Sequence, residues 1–172
     1  MDIALLLNDR SVKPKEKTKM LSSRILDGKI TVDELMQFAK TAKDSQKATC
    51  IESLEFATKQ KPTVLGEEGF RFVTSALTAK APRIKWESAK VIGNTAHLFS
   101  DKSDDAITNL LDNSAHEGTV VRWSAALALG EILKLKTKHN NELLTVIQAI
   151  ADKEENNGVK KVYLDAIRKT KK

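Results

Sequence analysis

Apolar residues recur at every third or fourth position along almost the whole chain. That spacing places them on one side of an α-helix, which turns by about 100° per residue. Strict alternation of apolar and polar residues, the pattern of a half-buried strand, is scarce. Gly, Pro, Asn or Ser interrupts the helical pattern roughly every dozen residues, as expected for short connections. The sequence therefore predicts an all-α protein whose ten helices form five antiparallel pairs.

Local signals set the expected limits of these helices. Pro14 and Pro82 stand in first turns, which tolerate proline, and Gly28 stands where a left-handed C-cap is needed. Thr31 with Glu34 forms a capping box, and Ser45 is the expected cap of the fourth helix. The predicted helices span residues 2–8, 14–27, 31–41, 45–60, 67–80, 82–99, 103–114, 119–136, 142–153 and 159–169.

The eighth predicted helix, TVVRWSAALALGEILKLK, is the best defined. Small and aliphatic side chains share one face of it, namely Val121, Ala125, Ala128, Leu129 and Ile132. The opposite face carries Trp123, Leu127, Gly130 and Lys134. Because alanine side chains are small, a neighbouring helix can approach closely, and we expect this helix to lie in the centre of a helical stack.

The helix pairs repeat along the chain. Trp86 and Trp123 lie 37 residues apart, and the same offset aligns further residues: Lys85 with Arg122, Ala89 with Ala126, Ile92 with Leu129, and Gly93 with Gly130. Weaker matches follow at an offset of 38 in both directions. A two-helix unit of this period predicts a solenoid, in which each unit buries its apolar face against its neighbours.

The segment VVRWSAALALGEI resembles the second helix of a HEAT repeat. The matching positions are Val121, Arg122, Ala125, Ala126, Ala128, Leu129, Gly130 and Ile132. The preceding unit matches at Ile84, Lys85, Ala89, Ile92 and Gly93, with Lys in place of Arg. The resemblance implies a right-handed α-solenoid of about five helix pairs, whose second helices line the concave side, and a role in holding proteins or nucleic acids. It also implies that Lys85 and Arg122 make structural hydrogen bonds between units. We expect residues 1–172 to form a single domain of this kind.

Composition adds few constraints. The chain has 172 residues, 41% of them hydrophobic, and a net charge of +6 that is spread evenly. The single cysteine, Cys50, excludes an intramolecular disulfide, and it aligns with Ser88 and Ala125 on the buried side, so we expect a core residue. No apolar run approaches the length of a membrane span, and the start lacks the features of a signal peptide. These features favour a cytoplasmic protein that makes no membrane contact.

Metal and cofactor motifs are missing from the sequence. The three histidines, His97, His116 and His139, have no paired His or Cys nearby, and no glycine-rich phosphate loop is present. We therefore predict no metal, no cofactor and no catalytic residues.

A stretch rich in aspartate imitates part of a calcium loop. Asp101, Ser103, Asp105 and Asp112 match ligand positions, but Ala106 replaces the glycine that the loop requires. Capping of the following helix is the expected role of the aspartates at 101–105.

The outward stripe of the second helices is the candidate binding surface. Equivalent positions are Trp86, Lys90, Gly93 and His97 in the third unit, Trp123, Leu127, Gly130 and Lys134 in the fourth, and Lys161, Asp165, Arg168 and Lys172 in the last. We predict that Trp86, Lys90, His97, Trp123, Leu127, Lys134, Lys161 and Arg168 contact a partner. The alternative is that both tryptophans fill crevices between units and that Gly93 and Gly130 mark a packed side.

Two functions fit this surface. The first is a non-enzymatic scaffold whose concave face binds a protein or peptide. The second is nucleic-acid binding, by similarity to the HEAT-like alkylpurine DNA glycosylases, for which only Glu87 or Asp165 would supply a catalytic acid. A HEAT protein of the bilin-lyase type is a third possibility, for which no residue provides specific support.

Overall fold

A computed structural model describes residues 2–170 of the chain. Ten α-helices and three short 3-10 turns occur in this range, and it contains no strand. The α-helices are α1 (Ile3–Asn8), α2 (Pro14–Leu26), α3 (Val32–Thr41), α4 (Asp44–Gln60), α5 (Glu67–Ala76), α6 (Pro82–Thr95), α7 (Asp104–Asn113), α8 (Thr119–Lys134), α9 (Asn140–Lys153) and α10 (Asn157–Thr170). The 3-10 turns are Pro62–Val64, Ala96–Leu98 and Ser100–Lys102.

Consecutive helices pack as five pairs, and the pairs stack in a row. The even-numbered helices α2, α4, α6, α8 and α10 pack tightly against one another, whereas the odd-numbered helices contact each other much less. A row whose one layer is close and whose other layer is splayed curves toward the close layer. The even-numbered helices therefore line the concave side, and the predicted all-α solenoid of helix pairs is confirmed.

One hydrophobic core runs through all five pairs, from Leu6 in α1 to Ile167 in α10. Its largest fully buried side chains include Phe70 and Tyr163. Alanines fill the contacts between the even-numbered helices, and Ala125, Ala126 and Ala128 of α8 are all 0% exposed. The helices can approach closely because these side chains are small.

Two predicted caps are present. Glu34 Oε2 accepts from the Thr31 amide at 2.7 Å, and Thr31 Oγ1 accepts from the Glu34 amide at 3.1 Å, so the capping box before α3 is confirmed. Gly28 follows α2 with φ of 68°, a left-handed conformation that disfavours any residue with a Cβ atom.

Two helices end earlier than predicted. We expected α5 to reach residue 80, but it ends at Ala76, and the Leu77 carbonyl accepts from Lys85 Nζ at 2.9 Å and Asn113 Nδ2 at 3.1 Å. These side chains from α6 and α7 satisfy a carbonyl that a longer helix would have bonded internally. Likewise α8 ends at Lys134 rather than at residue 136, where Lys136 has a positive φ of 52°.

The sixth helix was also predicted too long. It ends at Thr95 instead of residue 99, and two 3-10 turns follow it. The Phe99 ring lies 4.7 Å from the Phe70 ring, between centroids, and the chain must leave the helix to make that contact. His97 consequently lies on a 3-10 turn and not on α6.

The fourth, ninth and tenth helices begin earlier than predicted. Helix α4 begins at Asp44, without a side-chain cap from Ser45, and α9 begins at Asn140 rather than at residue 142. Helix α10 begins at Asn157 rather than at residue 159, because Asn156 Oδ1 accepts from the amides of Gly158 and Val159 at 3.0 and 3.1 Å.

The alanine packing makes a stability prediction. Ala128→Leu should lower the free energy of unfolding by roughly 1–3 kcal/mol, because added methylenes overpack the contact between α6 and α8. Urea denaturation measures the change. Ala149→Leu, on the exposed side of α9, is the control and should have little effect. Equal stability of the Ala128→Leu variant and the wild type would contradict the packing argument.

Two glycines of equivalent repeat position should respond oppositely to alanine. A Cβ at Gly93 would lie 3.5 Å from Ala128 Cα, an ordinary contact, whereas a Cβ at Gly130 would lie 2.9 Å from Ala166 Cβ. Gly93→Ala should therefore gain up to about 1 kcal/mol from helix propensity. Gly130→Ala must separate α8 from α10 and should be the less stable variant in the same denaturation experiment, so the reverse order would refute this reading of the two contacts.

Candidate functional site

Helix α8 exposes a single stripe, and that stripe is largely apolar. Val120 is 52% exposed and Trp123 is 39% exposed, while Leu127 is half-buried. Glu131 and Lys134 continue the stripe at the same helical spacing. The other sides of α8 pack against α6, α7 and α10, so this stripe faces the concave side.

On α6 the equivalent stripe is more polar. Trp86 is half-buried, and its indole Nε1 donates to Glu87 Oε1 at 2.8 Å. Glu87 is 4% exposed, and its other carboxylate oxygen lies 2.8 Å from Lys90 Nζ. Lys90 also lies 3.9 Å from Glu55 of α4. The polar edge of Trp86 and the charge of Lys90 are therefore both engaged within the protein.

Carboxylates on α4 extend this network across the concave side. Burial raises the pKa of Glu55, although the neighbouring Lys90 opposes the shift. Glu52 accepts from Thr18 Oγ1 of α2 at 2.8 Å and from Arg83 Nη2 of α6 at 2.7 Å. These three residues join consecutive even-numbered helices. The sequence analysis missed them because no local motif marks a carboxylate that bridges residues more than thirty positions away.

The remaining predicted site residues differ in their pairing and exposure. Lys134 pairs with Glu131, and Arg168 pairs with Asp165 at 2.7 Å. Lys161 is exposed on α10, and His97 is exposed on its 3-10 turn. Lys172, the last position of the predicted stripe, lies outside the described residues.

A groove separates α8 from α10 on this side. It has a volume of about 190 Å³. Its lining is apolar at Leu127, Val162 and Ala166, and charged residues surround these side chains: Glu131, Lys134, Asp165 and Lys169. The groove brings together residues of the fourth and fifth units. The repeat offset had implied only that these two units are neighbours.

Gly130 does not lie on the outward stripe, where the helical pattern placed it. It is buried, and its backbone contacts Ala166 of α10. Gly93 similarly faces Ala128 of α8. Both glycines mark a packed side of the helix, which was the alternative left open by the sequence.

Arg122 and Lys85 make the structural hydrogen bonds that the HEAT resemblance implies. Lys85 Nζ donates to Asn113 Oδ1 at 2.8 Å, in the next unit. Arg122 Nε and Nη2 donate to the two carboxylate oxygens of Glu154 at 3.0 and 3.2 Å, and Nη1 donates to the His116 carbonyl at 3.0 Å. Arg122 thus ties the α9–α10 connection to the α7–α8 connection.

The hydrogen bonds from Arg122 affect the pKa of Glu154. Burial raises the pKa, but hydrogen bonds from Arg122 and from the Asn156 amide, together with the charge of Arg122, outweigh burial and lower it below its ordinary value of 4.5.

Other reactive groups occupy structural positions. Cys50 is 0% exposed, and burial raises the pKa of its thiol to about 12, so it is an unreactive core residue. Within residues 2–170, no three His, Cys, Asp or Glu side chains converge as metal ligands would. His139 Nε2 lies 2.7 Å from Asp104 Oδ1 in the first turn of α7. None of the helices in residues 2–170 is sufficiently long and apolar to cross a membrane.

Comparison with solved structures identifies the class of fold. A designed armadillo repeat protein in complex with the peptide (KR)4 superposes with a TM-score of 0.73 at 14% identity, over 98% of this chain and 80% of that chain. A second designed armadillo repeat protein gives 0.72 at 12% identity, over 98% and 80%. The complex of CpcE and CpcF of phycocyanin lyase from Nostoc sp. PCC7120 gives 0.71 at 17% identity, over 95% and 94%.

These likenesses show that the chain has a HEAT/armadillo-like repeat fold, as the residue pattern predicted. At such low identity they establish the fold alone. No protein-family model matches the sequence, and no curated protein matches it.

The Arg122–Glu154 pair makes a pH-dependent prediction. Arg122→Ala should cost roughly 2 kcal/mol or more at neutral pH, because Glu154, with a side chain 6% exposed, loses its partner. Since the folded-state pKa of Glu154 is lowered, its stabilisation is complete above about 4.5 and is lost as pH falls through the folded value. Unfolding measured from pH 7 downward should show the wild type and variant converging in acid, and a constant difference would argue against this pair.

Proposed function

We propose that this chain is a non-enzymatic interaction scaffold that binds a protein or peptide segment on the concave side of its even-numbered helices. The observation that carries the proposal is the apolar stripe of α8, where Val120 and Trp123 are exposed beside Leu127. Large apolar side chains exposed together on a folded surface mark interaction sites, and tryptophan is the most frequent binding hot spot.

The surrounding concave surface supports this proposal. Trp86 and Lys90 present a rigid surface one unit away from Trp123, because a hydrogen bond to Glu87 holds Trp86 and an ion pair with Glu87 holds Lys90. A preorganised surface loses little conformational entropy on binding. The designed armadillo protein of similar fold is seen in complex with the peptide (KR)4, which illustrates that a scaffold of this fold can bind a peptide.

Nucleic-acid binding is less well supported. Lys90, Lys134 and Arg168 each pair with a carboxylate on the same helix, so three basic residues of the predicted binding surface are already neutralised. The two acids considered for a glycosylase are also engaged, Glu87 with Trp86 and Lys90, and Asp165 with Arg168.

The likeness to phycocyanin lyase does not extend the proposal to lyase chemistry. It rests on fold at 17% identity, and fold alone does not carry a reaction over to this chain. We further propose that residues 1–172 form one domain, since the core is continuous from the first to the last pair, and we retain a cytoplasmic location as part of the same proposal.

Substitution of Trp123 tests the scaffold proposal. A partner captured with the wild-type protein from the native host should be purified, and its affinity measured by calorimetry. Trp123→Ala should weaken that binding by roughly 2 kcal/mol or more, as loss of a buried aromatic anchor does. Leu5→Ala is the control, because Leu5 is 68% exposed on α1 and away from the stripe, and it should leave the affinity unchanged.

Two outcomes would contradict the scaffold proposal. If Trp123→Ala keeps every partner but melts early, the stripe is a packing seam. Tight binding of DNA or RNA that weakens steeply with salt would favour the alternative function.

A further inference from the structure

The concave surface is apolar on α8 and forms a groove between α8 and α10. On α8 the exposed stripe is apolar at Val120, Trp123 and Leu127. Leu127 also forms one edge of the groove toward α10, opposite Val162 and Ala166. A bound segment that crosses from α8 to α10 therefore meets apolar side chains first and the groove next.

Charges around the groove are unbalanced. The carboxylates of this region are neutralised by a basic residue on the same helix, Glu131 by Lys134 and Asp165 by Arg168. Lys161 and Lys169 are also exposed on α10, and no carboxylate in the described part of the chain pairs with either of them. Among the described residues, Lys161 and Lys169 are thus left to attract a partner at this end of the surface.

We propose that the α8–α10 surface binds a partner segment in which apolar residues are followed by aspartate or glutamate. This inference rests on the proposed scaffold function and specifies the chemistry of its partner. The apolar side chains of the segment cover Trp123 and Leu127, and its carboxylates lie near Lys161 and Lys169. Burial of the apolar contacts supplies affinity, while the two lysines select against basic sequences.

The groove limits what can be inserted. A volume of about 190 Å³ accommodates a side chain of the partner but not a helix, since an α-helix with its side chains is about 10 Å across. The backbone of the segment therefore lies on the surface, with an apolar side chain between Leu127 and Ala166. In the part of the chain that the structure describes, a phosphate backbone would find two lysines here without a carboxylate partner, too few for tight electrostatic binding.

The inference can be tested with synthetic peptides. Three probes share the same apolar half, and their other half contains glutamate, lysine or glutamine. Tryptophan fluorescence and calorimetry on the full chain should give the tightest binding for the glutamate peptide and the weakest for the lysine peptide. A single-stranded DNA oligonucleotide is the fourth probe and should bind more weakly than the glutamate peptide.

Charge-reversal variants localise the effect. The double variant Lys161→Glu/Lys169→Glu should weaken the glutamate peptide by about tenfold or more and should reverse the order of the glutamate and lysine peptides. The matched control Lys40→Glu/Lys153→Glu changes the net charge equally, at exposed positions on the odd-numbered helices α3 and α9, and should preserve the order. An equal loss in both double variants would mean that net charge alone attracts the peptide, and the inference would be wrong.

Its failure is distinguishable from failure of the scaffold function. If the lysine peptide binds best and loses binding in Trp123→Ala, the surface binds peptides but the acidic partner is wrong. If none of the peptides binds while a native partner still requires Trp123, the inference also fails and the scaffold proposal stands. Preferential, salt-sensitive binding of the oligonucleotide would overturn both.

Discussion

Close packing between the even-numbered helices is the constraint on which the rest of this structure depends. At the α8–α10 contact, Gly130 faces Ala166 so closely that a Cβ on the glycine would collide with it. At the α6–α8 contact, Gly93 faces Ala128. Small residues at these points bring one layer of helices together while the odd-numbered layer stays splayed. The difference between the layers gives the row its curvature, and curvature creates a concave side on which a partner can be held.

Polar side chains then fix the spacing of consecutive units. Lys85 and Arg122 occupy the same repeat position, and each reaches a neighbouring unit with its cationic end. Lys85 also bonds the final carbonyl region of α5, at Leu77. Both residues donate to backbone carbonyls at helix ends or connections, which the helices themselves leave without partners. In this way they anchor the connections between helices. Arginine offers a planar fork to Glu154, whereas lysine makes single bonds, so the two units are held by different geometries.

Ion pairs also determine which charges the concave surface exposes. Its basic residues are mostly paired on their own helices, as with Lys90 and Glu87. Within residues 2–170, the apolar stripe of α8 remains available, as do Lys161 and Lys169 of α10, which pair with no carboxylate in that range. The surface therefore combines a rigid hydrophobic part with a modest positive part, a combination that suits a protein segment better than a phosphate backbone.

The sequence alone determined the class of fold, because helical periodicity recurs along the whole chain and an offset of 37 residues relates the third and fourth units, with weaker matches at 38. It also determined the capping box at Thr31, and the HEAT resemblance implied the structural role of Arg122. Tertiary structure decided where helices stop, as at Thr95. A carbonyl that is capped by a distant side chain, or a ring contact such as that of Phe99 with Phe70, cannot be predicted from the local sequence. It also decided which side of α8 buries Gly130. A glycine has no side chain to indicate its face, so only the contact with Ala166 could assign it.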